Sequence, residues 1–421
     1  MSSCEENQSM TEETAKSVPL RTRIAIYGSG LFADGASNVV IPLWALYLQP
    51  SPFTFGIVIG ARSLLPFLLS IHGGVLMDRL GARQVMLFFA TIGLIVPLLF
   101  PLLPWIWVAV ILNLLLGLSS TMNWVGAQTL VGQVIRSDPA LTWRVSFCNR
   151  LGHFVSPVLA GAMWDAFGPW GGFGVTFIVA VLFMMAALML PRRDGIVKAK
   201  GNINAQHMRL RHLLPRLEDH TKAFALLGIP LVSVVAAGSV LNIATGAIQS
   251  SFFIAYMKEI EFTGTMIGLI FAGLNFSGLV GTATVTPLAH RIGDVLLLNA
   301  TVLGAIVAIT ATPMLTAFIP LLAVTIFRGF TQGVSQPLMI LIPSKLVPAG
   351  SHGAAVGVRI SLNRFMQTVL PPIMGGIVGL VGLENSFYVV GGILLAVSGS
   401  LWAIFRPPAR IPARTNKDAA S

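Results

Sequence analysis

The sequence predicts an all-α integral membrane protein, with about twelve transmembrane helices in two pseudo-symmetric six-helix bundles. Three observations carry this prediction. The chain of 421 residues is 55% hydrophobic and only 10% charged, with a net charge of +11 and a mean hydropathy of +0.80. A soluble globular chain carries roughly 25% charged residues. The apolar residues fall into runs separated by short polar turns, and the second set of runs repeats motifs of the first.

The elements follow in order. Residues 1–20 are polar, with Glu5, Glu6, Glu12 and Glu13. No basic stretch leads into an apolar one there, so a cytoplasmic tail is expected and not a signal peptide. Segments 1 to 6 occupy roughly 24–48, 54–77, 84–103, 105–132, 143–166 and 173–191. Segments 7 to 12 occupy roughly 223–257, 263–289, 295–314, 316–343, 354–381 and 384–405. Most reach the ~20 residues that cross a hydrocarbon core of about 30 Å. Pro101 and Pro104, and Pro313 and Pro320, mark the 3/4 and 9/10 boundaries. The expected organisation is a tail 1–20, a first bundle 21–191, a cytoplasmic linker 192–222, a second bundle 223–406 and a tail 407–421.

The surplus of basic residues lies between the apolar runs, which points to membrane orientation and away from nucleic acid. Arg21, Arg23, Arg79, Arg83, Arg136 and Arg144 flank one side. The linker from Arg192 to Lys222 adds to it, and Arg291, Lys345, Arg406, Arg410 and Arg414 continue the alternation. The opposite loops hold only Lys258. Both termini are therefore expected in the cytoplasm. The two cysteines, Cys4 and Cys148, make neither a disulfide framework nor a metal site. No nucleophile elbow, phosphate-binding P-loop or metal-spaced His/Cys cluster is present, so no enzyme, cofactor or ATP-driven pump is expected.

The turn between segments 2 and 3 reads Gly74-Val-Leu-Met-Asp78-Arg79-Leu-Gly81-Ala-Arg83. It is expected to be a tight polar hairpin in which Gly74 and Gly81 give backbone freedom, while Asp78, Arg79 and Arg83 place charge where the chain leaves lipid. The halves then repeat. In segment 5, Asn149-Arg150 precedes Pro157 and Gly161. In segment 11, Asn363-Arg364 precedes Pro371 and Gly375 at the same offsets. The turn Leu288-Ala-His290-Arg291-Ile-Gly293 echoes the one at Asp78. The repeat distance is roughly 210–215 residues, which suits parallel halves about an axis along the membrane normal.

Ionisable residues inside spans are costly and so are candidates for function. Asp34 lies about ten residues into segment 1, roughly 15 Å deep at 1.5 Å per residue. Arg62, Arg150, Arg328 and Arg364 lie within segments 2, 5, 10 and 11. The uncharged candidates are Asn38, Asn113, Asn123, Gln128, His153, Asn242, Gln249, Asn275, Gln332, Gln336 and Gln367. Two readings stay open for Asp34: a coupling carboxylate that takes up a proton or contacts substrate, or a structural ion pair with Arg150. Arg150 and Arg364 either clamp an anionic substrate or hold helix ends between bundles. Arg62 and Arg328 lack a nearby acidic residue in sequence and lean towards function. The amides serve either substrate or interhelical hydrogen bonds.

Gly-x-Leu-x-Asp-Arg-x-Gly-x-Arg resembles the loop motif between the second and third helices of major facilitator superfamily transporters, matching Gly74, Leu76, Asp78, Arg79, Gly81 and Arg83. The likeness extends over about residues 21–406. Asp34 followed by Pro42 is similar to the first helix of drug:proton antiporters. Gly152-x-x-x-Ser156-Pro157-x-x-Ala160-Gly161 resembles their segment 5 motif, with Ser and Ala for two glycines. Gly152, Pro157, Gly161, Pro371 and Gly375 are thus expected to serve close helix packing. The family often places an Arg in segment 4, linked to proton transfer, where this chain has Asn113. Arg328 stands instead in segment 10, before Gln332-Gly333. In the family the loop aspartate helps lock one state against the start of segment 11, which a helix dipole would favour.

The resemblance implies a secondary active transporter working by alternating access, with proton-coupled export of a small organic molecule as the leading expectation. Uptake or exchange of an organic anion is the alternative within transport. A non-transporting membrane receptor or assembly factor is the alternative outside it. The expected setting is a bacterial inner membrane, as a monomer in the lipid bilayer with a small-molecule substrate and protons as coupling ion, and no nucleic acid.

Overall fold

The computed structural model describes residues 20–32, 35–134, 139–190, 230–346 and 352–405. Asp34, the linker 192–222 and the tails lie outside the described residues, apart from Leu20. Every regular element among the described residues is helical. Nine described helices are long and apolar enough to cross a membrane. One of them, Pro139–Met189, contains both segments 5 and 6 and turns at Gly168 (φ 61°, ψ −145°), before Pro169. Segment 9 (Asp294–Thr310) is shorter, and segment 1 is divided. Among the described residues this makes twelve candidate spans.

Segments 2, 3 and 4 are Pro52–Leu80, Ala82–Leu102 and Ile106–Val134. Segments 8, 10, 11 and 12 are Gly264–Ile292, Phe318–Leu346, His352–Val381 and Leu383–Phe405. The 2/3 turn is tighter than the sequence suggests. Gly74, Asp78 and Arg79 all belong to the helix of segment 2, and the break is the single residue Gly81 (φ 89°, ψ 135°). Gly74 therefore supplies no turn. Gly293 (φ 97°, ψ 144°) breaks the 8/9 junction in the same way. Both sit at positive φ, where a side chain would be strained.

Segments 1 and 7 are expected to be continuous and are not. Segment 1 splits into Leu20–Leu31 and Ser37–Tyr47. Segment 7 splits into Pro230–Gln249 and Phe252–Glu259. The local chemistry explains both breaks. Gly28, Ser29, Gly30 and Gly35 are poor helix formers. Ser250 and Ser251 turn their hydroxyls back onto the Gly246 and Ala247 carbonyls, which competes with the backbone ladder. The first and seventh helices, equivalent in the repeat, are thus both interrupted, although not at the same register.

The halves meet along two pairs, segment 2 with segment 11 and segment 5 with segment 8. These contacts are built alike. A Cβ on Gly161 would strike the Gly264 carbonyl, and one on Gly375 would strike the Pro52 carbonyl. Likewise Gly268 faces the Pro157 carbonyl as Gly56 faces that of Pro371. Small residues let backbones approach without side chains between them. All four approaches lie at the end of the molecule away from the Asp78 turn.

Candidate functional site

Between the halves lies a cavity of about 460 Å³. It is bordered by the two helix interruptions, through Ser37 and Asn38 from segment 1 and Gln249 and Ser250 from segment 7. Broken helices expose backbone dipoles at depth, and such interruptions mark binding sites in carriers. Arg62, Asn113, Asn242, Arg328, Gln332 and Arg364 all line this cavity. They come from segments 2, 4, 7, 10 and 11, so both halves contribute. Trp124 and Phe271 provide aromatic wall, and His153, Asn275 and Gln367 add polar groups.

Each side chain is held by its neighbours. Asn113 is fully buried, and its Nδ2 donates to the Val58 carbonyl at 2.7 Å. Its Oδ1 has no partner. Asn242 donates to the Ser335 hydroxyl at 3.0 Å. Arg328 is 2% exposed; its Nη2 donates to Thr245 Oγ1 at 3.3 Å and its Nε has no partner. Arg364 Nη1 donates to Gln367 Oε1 at 3.2 Å, and the same oxygen accepts the Ser63 hydroxyl, also at 3.2 Å. That network ties segment 11 to segment 2. Arg62 lies close enough to Arg364 for their like charges to repel.

Arg150 does not join the cavity lining. Its Nη2 donates to Thr282 Oγ1 at 3.0 Å, across the segment 5/segment 8 contact. The neighbouring asparagines stay within their own halves. Asn149 donates to the Gly30 carbonyl at 3.3 Å, and Asn363 accepts from the Ser239 hydroxyl at 3.1 Å. The Asn-Arg pairs thus agree in the asparagine, which bonds to the first helix of its own half, while Arg150 bonds across to Thr282 and Arg364 to Gln367 on its own helix.

Asp34 lies outside the described residues; in the sequence it precedes Ser37 and Asn38, which border the cavity. The backbone of the Asp78 turn is described, but the side chains of Asp78 and Arg79 are not. Arg83 Nη2 donates to the Leu188 carbonyl at 3.3 Å, which ties the turn to segment 6. Gly152 sits against the Leu31 carbonyl, at the end of the first half-helix of segment 1. Pro157 and Pro371 lie within their helices and also border the cavity. Arg328 is not the counterpart of Asn113. A Cβ on Gly117 would meet the Arg62 carbonyl, and one on Gly329 would meet that of Leu274. Gly329 therefore matches Gly117, and Arg328 matches Leu116.

One residue escaped the sequence reading. Asp165, near the end of segment 5, accepts from the amides of Gly264 (2.6 Å) and Thr265 (2.7 Å) and from the Thr265 hydroxyl (2.6 Å). It caps the N-terminus of segment 8 from the other half, where orphan amides and the helix dipole favour a carboxylate. The available signal was a lone Asp just before Gly168-Pro169, at the chain's turn.

A membrane protein of two six-helix halves around a shared polar cavity has the architecture of an alternating-access carrier. The sequence profile of the Major Facilitator Superfamily matches residues 24–234 and 235–421, and the chain belongs to that superfamily of secondary transporters. It is 21% identical over 413 residues to the enterobactin exporter EntS of Salmonella paratyphi A, covering 93% of this chain and 94% of the relative. It is 25% identical over 405 residues to the multidrug resistance protein MdtG of Escherichia coli, covering 92% and 95%. The crystal structure of the nucleoside transporter NupG superposes with a TM-score of 0.71 at 14% identity, covering 93% of this chain and 100% of that one. That last likeness concerns the fold alone.

Proposed function

We propose that the protein exports a small organic molecule in exchange for protons, in a bacterial inner membrane with both termini and the Asp78 turn in the cytoplasm. The observation that carries this reading is the cavity shared by both halves at the level where segments 1 and 7 are interrupted. The direction is supported by the export named for EntS and by the multidrug resistance named for MdtG. Asp34 is the proposed coupling group, because a carboxylate in a desolvated span can gain and lose a proton. The positive-inside distribution of arginine supports the orientation. The glycine-mediated contacts and Asp165 then lie at the outer end, and rocking of the halves would part them.

The test is transport into proteoliposomes with a pH-sensitive dye inside. Addition of a transported solute should dissipate an imposed proton gradient, and Asp34→Asn should stop that while leaving the protein in the membrane. Solute movement that never changes internal pH would reject proton coupling. Uptake or exchange of an organic anion is a second reading, favoured by the arginines of the cavity. It differs in direction and is separated by orienting the gradient both ways.

A further inference from the structure

We infer that the occupant of the central cavity is an organic anion, gripped through a carboxylate, phosphate or similar group by Arg328 and Arg364. This rests on the transport reading for what the cavity does and adds the charge of what it holds.

Arg328 is the strongest observation. A guanidinium stays charged in any protein environment, and here it is 2% exposed with one neutral partner, Thr245, and an Nε that bonds to nothing. Arg364 likewise has a neutral partner, Gln367. Arg62 brings a third guanidinium from the other half, and it repels Arg364. Among the described lining residues there is no Asp or Glu. The buried charge of Arg328 has no acidic partner among the described residues, which is unfavourable, and an anion entering the cavity offsets that where a cation adds to it.

Geometry adds detail. Guanidinium groups present parallel N–H donors that match carboxylate and phosphate oxygens in pairs. Gln249, 3% exposed and bordering the cavity, has an Nε2 without a partner, which is one further donor. Asn113 Oδ1 is an open acceptor, suited to a hydroxyl or amide hydrogen elsewhere on the molecule. Trp124 and Phe271 suit an apolar or aromatic body.

The experiment is thermal unfolding of the purified full-length protein at fixed ionic strength. The probes are benzoate, isophthalate and phenyl phosphate, their neutral isosteres benzamide and isophthalamide, and the amines benzylamine and m-xylylenediamine. Ligands of the folded state raise its midpoint by mass action. At least one anion should stabilise the wild type where its neutral and cationic isosteres do not. Arg328→Gln and Arg364→Gln should each weaken the apparent affinity about tenfold or more, as loss of a buried charge partner does. Arg328→Lys should recover part of it, and it keeps the test open if the Gln variant does not elute as a folded species. Stabilisation by an amine and by no anion overturns the proposal. So does the absence of any anion effect, or an effect unchanged in both Gln variants. Because binding is read without a gradient, anion stabilisation alongside failed proton coupling would refute only the coupling.

Discussion

The contact of Asp165 with segment 8 predicts a measurable shift in which end of the molecule is open. Its carboxylate takes three hydrogen bonds of 2.6–2.7 Å from Gly264 and Thr265. Donor and acceptor lie in different halves, so the bonds exist only while that end is closed. Hydrogen bonds to a charged group are worth about 1.5–3 kcal/mol when shielded. Asp165 is exposed, and water competes, so the low end applies or less. In Asp165→Asn one oxygen remains as acceptor, and the charge that complements the helix dipole is gone. Two weakened bonds and the dipole contribution sum to about 1.5–2.5 kcal/mol. At 1.4 kcal/mol per factor of ten, the ratio of open to closed should rise about 10- to 60-fold. The assay is pulsed electron spin resonance between labels at Trp170→Cys and Met314→Cys, in a background lacking Cys4 and Cys148. Both positions are exposed, at the same end and in opposite halves. A longer-distance population should appear or grow in the variant. An unchanged distance distribution would refute the reasoning and leave the glycine contacts as the whole closure.

Other outcomes follow from the same geometry. Gly161→Leu should force the segment 5/8 contact apart, since its side chain meets the Gly264 carbonyl; overpacking of this kind costs about 1–3 kcal/mol, read as a widened label distance and a lower unfolding midpoint. Asp34→Asn should abolish movement of protons with substrate while sparing membrane insertion, and retained coupling in proteoliposomes would remove Asp34 from the mechanism. Asp78→Asn should slow turnover more than it weakens binding, because the Asp78 turn sits at the end of segment 2 and away from the cavity; equal initial rates would reject its gating role.

What the sequence makes legible here follows from what lipid demands. Spans are readable because bilayer thickness imposes a length, and the junctions at Gly81 and Gly293 are readable because they carry charge beside glycine. Depth is readable too, which is why counting into the segments selected Arg62, Asn113, Asn242, Arg328, Gln332 and Arg364, all of which line one cavity. Direction around a helix is not readable from depth. Arg150 lies at a candidate depth and turns to Thr282 instead. The interruptions of segments 1 and 7 were hidden because glycine and serine scarcely change hydropathy while they change helix propensity. Asp165 was hidden because its partners lie about a hundred residues further along the chain, on the other half.

The repeat separates frame from function. Contacts that recur in both halves are packing devices: Gly161 and Gly375 on opposite carbonyls, Gly117 and Gly329 on the next helix, Thr263 and Ser51 as helix caps. A carrier that rocks about its pseudo-symmetry axis needs this frame to be alike on both sides. The charges recur only in part. Arg150 and Arg364 occupy equivalent positions, but where one half has Arg62 and Leu116, the other has Leu274 and Arg328, so this further arginine sits on the other helix of the matching pair. Asp165 has no counterpart either: the matching place holds Gly379, which has no side chain to accept, and the residue equivalent to Gly264 is Pro52, which has no amide hydrogen to give. Symmetric packing lets both ends open and close with similar contacts. On the proposed reading, the asymmetric charges decide what binds in the middle and which end is held shut when nothing does. Substitutions in the recurring set should therefore lower stability with any ligand, whereas substitutions at Arg328 or Asp165 should change ligand preference or conformational bias at nearly constant stability. A ranking of variants by unfolding midpoint against ligand response would expose the division, and a single merged class would refute it.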